Sequence, residues 1–72
     1  MPNTIHSQIY KDITAKLKAA RLESGLTQKQ VAQKLKRPQS YISKVEIGEQ
    51  RIDVVELKEF AILYKKKISY FV

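Results

Sequence analysis

The side chains of this chain best equipped for chemistry lie between Leu26 and Gly48, in LTQKQVAQKLKRPQSYISKVEIG. Gln28, Lys29, Gln39, Ser40, Tyr41, Ser43 and Lys44 supply amides, hydroxyls and ammonium groups that donate and accept hydrogen bonds at a surface. They are suited to recognition rather than to breaking bonds. His6 is the sole histidine, there is no cysteine, and neither a metal site nor a nucleophile-base pair can be assembled around it. The chain is therefore expected to be no enzyme and to need no cofactor or metal.

Recognition residues need elements to carry them, and the spacing supplies two short helices. Thr27 followed by Gln30 is a capping box, so a helix starts near Gln28, with Val31, Ala32 and Leu35 as its apolar stripe. Pro38 pushes Arg37 toward an extended backbone and is pre-shaped for the first position of a new helix. On that second short helix Ile42 and Val45 face inward, leaving Gln39, Ser40, Ser43 and Lys44 outside, and Gly48 supplies a left-handed terminator.

Flanking helices complete the core. Ile9, Ile13, Leu17 and Ala20 form a stripe on a first helix from about Ser7 to Ser24, ended by Gly25, while residues 1–6 read as a frayed terminus. Asp53 and Glu56 repeat the capping box and open a fourth helix whose inward stripe is Leu57, Phe60, Ala61 and Tyr64. In the ending, Ile68-Ser69-Tyr70-Phe71-Val72, Ile68 and Phe71 are expected to close the core, with Tyr70 and Val72 near the surface. Arg21 extends the Leu17 stripe by four residues and Glu46 extends that of Ile42, so both charges stand at the margin of an apolar face.

Composition narrows the classes. Seventy-two residues make one small domain, which buries about 60% of its unfolded surface and leaves little room for an enzymatic pocket. Without cysteine, stability must come from helix packing, as suits a reducing cytoplasm. No stretch approaches a membrane span or a secretory leader, so a soluble, unprocessed protein is expected. The net charge is +7, and residues 27–51 carry six basic and two acidic side chains against one and three in residues 52–64. The basic segment is the one that holds the recognition residues, which favours a polyanionic partner.

Taken together, Arg21, Gly25, Leu26, Thr27, Gln28, Val31, Ala32, Leu35, Ser40, Tyr41, Ile42, Ser43, Lys44, Glu46, Gly48, Leu57 and Ala61 resemble the phage repressor and Cro type of DNA-binding domain, the XRE family of regulators. The resemblance implies an all-α, four- to five-helix, lambda-repressor-like fold, a single domain over residues 1–72 with its helix-turn-helix at about residues 27–47. Two departures stand out: Lys36 occupies the place of the usual turn glycine, and Lys65 that of the glycine ending the fourth helix. The resemblance also implies that Arg21 and Glu46 pair, clipping the first helix to the end of the recognition helix.

Carried over residue by residue, the resemblance makes Gln39, Ser40 and Lys44 the base readers, with Tyr41 at a thymine methyl or a phosphate. Gln39 suits adenine N6 and N7, and Lys44 suits guanine O6 and N7. Gln28, Ser43 and Arg51 would frame the helix with phosphate contacts, joined by Lys29, Lys36 and Arg37. One recognition helix reads too few bases for operator specificity, so a homodimer on an inverted repeat is implied, with Tyr70, Phe71 and Val72 as candidate dimer contacts. The reading is a sequence-specific double-stranded-DNA-binding repressor or autoregulator, bacterial or phage-encoded. The alternative is an antitoxin-like subunit that binds a protein partner and its own promoter. RNA binding is disfavoured by the lack of exposed aromatics at platform spacing.

Overall fold

In the computed structural model, which describes residues 4–72, the helices are α1 Thr4–Glu23, α2 Gln28–Leu35, α3 Gln39–Glu46 and α4 Val54–Tyr64, followed by a 3₁₀ turn at Ile68–Tyr70. Both capping boxes form. The Gln30 amide donates to Thr27 Oγ1 at 3.1 Å while the Thr27 amide donates to Gln30 Oε1 at 2.8 Å, and Asp53 and Glu56 repeat the exchange at 2.8 and 2.9 Å. Two otherwise orphaned N–H groups are thereby satisfied at each helix start. Pro38 stands one place earlier than its shape suggests, as the extended residue before α3.

All four helices end alike. An amide donates back to the carbonyl five residues earlier, from Leu26 to Arg21, Arg37 to Ala32, Glu49 to Lys44 and Lys66 to Ala61. The residue before each donor is left-handed: Gly25, Lys36, Gly48 and Lys65. This is the Schellman type of stop. At Lys36 and Lys65, with φ of 57° and 59°, the turn survives loss of the family glycine at a cost of roughly 1 kcal/mol each, partly offset by a cation at a helix C-terminus.

The core joins Leu17 and Ala20 of α1, Val31 and Ala32 of α2, Ile42 and Val45 of α3, the inward stripe of α4, and Phe71. Phe60 lies between the rings of Tyr41 and Tyr64, at centroid distances of 6.4 and 6.0 Å. α3 packs on α2 and α1, so its inner face is held from two sides. No helix among the described residues is long and apolar enough to cross a membrane.

Three expectations need correction. α1 starts at Thr4 rather than Ser7; residues 1–3 of the stretch read as frayed lie outside the described residues. Ile9 is 54% exposed, and Thr14 takes the inward place, its hydroxyl donating to the Lys11 carbonyl one turn back. Here α1 passes beside Gly48, with Lys11 and Thr14 the side chains nearest to it. At the other end Ile68 stays exposed while Tyr70 packs partly against the core, its ring edge-on to Phe71 at 4.9 Å.

Candidate nucleic-acid interface

Gln39, Ser40 and Lys44 lie exposed on the outer side of α3, whose opposite side is spent on Ile42 and Val45. Because the buried residues fix the roll of the helix, they also fix which side chains project from it. An amide, a hydroxyl and an ammonium group are thus displayed together on one rigid two-turn element. Ser43 is half-buried beside them.

The roll is further set by a buried polar knot. Arg21 Nε and Nη2 donate to Glu46 Oε2 and Oε1 at 2.7 and 3.1 Å, a bidentate pair with side chains 10% and 4% exposed. Arg21 Nη1 also donates to the Leu26 carbonyl at 2.9 Å, tying the α1–α2 turn into the same guanidinium. The carboxylate raises the Arg21 pKa above its ordinary value. Gln28 completes the knot, its Nε2 donating to Glu46 Oε1 at 3.0 Å. The helix opening expected to meet a phosphate is therefore coupled, through one glutamate, to the end of α3. This use of Gln28 was not foreseen; its amide nitrogen is engaged inward, and its backbone and carbonyl oxygen remain at the N-terminus of α2.

Tyr41 and Arg37 also turn inward. The Tyr41 hydroxyl and Arg37 Nη1 both donate to Glu56 Oε2, each at 3.1 Å, and the guanidinium lies 4.7 Å over the Tyr41 ring. Burial, then the bond to Glu56, pushes the Tyr41 hydroxyl up to about 12. Glu56 is pulled below its ordinary value, first by the Asp53 amide and then by Tyr41 and Arg37. These two residues, expected at the DNA surface, tie the start of α4 to α3 and to the turn before it while staying partly exposed. Their partner lies 15 and 19 residues away, beyond the reach of helical periodicity.

On the far side, Arg51 is exposed in the α3–α4 loop, its guanidinium 5.1 Å over the ring of Tyr10. The Tyr10 hydroxyl donates to the Gln50 carbonyl. The aromatic body of α1 therefore presents Arg51 outward and holds its backbone, and no sequence signal singled Tyr10 out. Lys29 and Lys36 are exposed on α2 and its terminator. Phe71, 2% exposed, is consumed by the core and has no surface for a partner; Tyr70 is half-buried and Val72 exposed.

The surface so described is a rigid polar helix face with cations on both flanks, resting on a small α-helical core. A family model described as Helix-turn-helix matches residues 17–71, more than half of the chain. No curated protein matches it.

Proposed function

The chain belongs to the helix-turn-helix family, as a Cro/XRE-type DNA-binding transcription regulator, and we propose that it is a repressor or autoregulator that binds an inverted-repeat operator as a homodimer in the cytoplasm. The observation that carries this reading is the exposed row Gln39, Ser40 and Lys44 on a helix whose roll is locked from behind by Arg21, Glu46 and Gln28. Gln39 reads adenine, Lys44 donates to guanine, and Ser40 tolerates either. Arg51, Lys29 and the N-terminus of α2 grip phosphates on the two sides, setting register without reading sequence.

A repressor blocks by occupying a site, and so needs affinity and register rather than a further surface for activation. Two copies related by a two-fold axis would place their α3 helices in successive major grooves, about 34 Å apart along the duplex. Selection of bound sequences from a random duplex library tests the proposal. Enrichment of an inverted repeat with half-sites one helical turn apart is expected; a single asymmetric half-site, or no enrichment, would refute the dimeric operator.

A further inference from the structure

Away from the α3 surface, the C-terminal halves of α2 and α4 enclose an open groove of about 340 Å³ between Leu35 and the pair Ile62 and Leu63. It shares Lys34 and Leu63 with a hollow of about 440 Å³ that continues toward Leu26 and Lys65. The floor is aliphatic. Ile62, at 76%, is the most exposed large apolar side chain among the described residues.

α4 buries Leu57, Phe60, Ala61 and Tyr64 inward, yet its outer side carries exposed Val54, Val55 and Ile62 among the charged Lys58 and Glu59. Exposed aliphatic side chains beside a groove with an aliphatic floor mark a surface suited to a partner.

The rim indicates what covers it. Lys34, Lys36 and Lys65 surround the groove against a single carboxylate, Glu59, and none of the three forms an ion pair among the described residues. Lys36 and Lys65 are also the two left-handed residues at which glycine would fit without steric cost. Cations thus stand at positions where the backbone disfavours any side chain. A second copy of this chain is a poor occupant, since two-fold association through this patch would set its lysines against their own images. Nucleic acid has no use for the aliphatic floor.

We propose that this groove docks an acidic amphipathic helix of a partner protein, its apolar stripe on Leu35, Ile62 and Leu63 and its carboxylates on the lysine rim. Gln39, Ser40, Lys44, Arg51 and Lys29 do not line the groove, and of the residues expected at DNA only Lys36 does, so the partner and DNA can be held together with Lys36 as their one shared side chain. The inference stands independently of the operator reading.

The test uses the full chain and a synthetic peptide of about four helical turns, with leucines at i, i+3, i+4 and i+7 and glutamates elsewhere. Saturable binding by calorimetry is expected, with amide shifts concentrated at Leu35, Ile62 and Leu63. Ile62→Ser, and separately Lys34→Glu with Lys36→Glu, should each weaken it by about tenfold or more while leaving the circular dichroism spectrum unchanged, because these side chains are exposed. A peptide of the same composition with its stripe scrambled should bind at least about tenfold less tightly. No saturation, equal binding of the scrambled peptide, indifference to both sets of variants, or displacement by duplex DNA would each overturn the proposal.

Discussion

Replacing Arg21 by alanine strips Glu46 of two hydrogen bonds, at 2.7 and 3.1 Å, and leaves its 4%-exposed carboxylate facing the Gln28 amide alone. Removing one member of a buried pair costs about 3–5 kcal/mol. Gln28 stays and Arg21 has some access to water, so the low end applies, about 3 kcal/mol, from a total of about 4–11 kcal/mol for a domain of this size. With a urea slope near 1 kcal/mol per molar, the denaturation midpoint followed by circular dichroism should fall by about 3 M. Adding Glu46→Ala removes the stranded charge, so the double variant should lie about 1–2 kcal/mol above the sum of the singles. Arg21→Met with Glu46→Leu should return within about 1 kcal/mol of the parent yet still bind DNA more weakly, because Gln28 has lost its acceptor. Additivity within about 0.5 kcal/mol in the double-mutant cycle would refute the knot as a coupled unit.

Gln39→Ala and Lys44→Ala should each relax preference at defined operator positions by about 1–3 kcal/mol, read from selected-site profiles at fixed salt. Arg51→Ala should weaken all duplexes alike and flatten the salt dependence of affinity, and Tyr10→Leu, which removes the ring beneath it, should shift the slope in the same direction. Glu56 has a native pKa below its ordinary 4.5, so its stabilisation is complete above that pH and is lost as pH falls through the lower native value. Acid titration should therefore destabilise the parent more steeply than Glu56→Gln. Lys36→Gly and Lys65→Gly should each raise thermal stability, by about 0.5–1 kcal/mol, by relieving left-handed lysine.

Most of the scaffold was legible because its signals are local. Thr27 with Gln30 and Asp53 with Glu56 mark helix starts within four residues, and Gly25 and Gly48 mark stops. Arg21 and Glu46 were legible as charges at the margins of apolar stripes, and the family resemblance supplied their pairing. What escaped depends on distant pairs. Nothing near Tyr41 in the chain shows that its hydroxyl seeks Glu56, and nothing near Tyr10 shows that its ring lies under Arg51. Ile9 misled because periodicity gives the face of a helix but not where its neighbours end. Thr14 sits inward beside Gly48, and its hydroxyl is satisfied by the Lys11 carbonyl.

α2 and α3 have eight residues each, below the length at which an isolated helix holds together in water. The reading head therefore exists only while α1 and α4 clamp it. A protease that nicks either clamp need never touch a DNA-facing residue to abolish binding, and the cut fragment has no fold to return to. Occupancy of DNA in a cell then becomes a matter of turnover, set by how often α1 or α4 opens and how quickly new chain replaces what is lost.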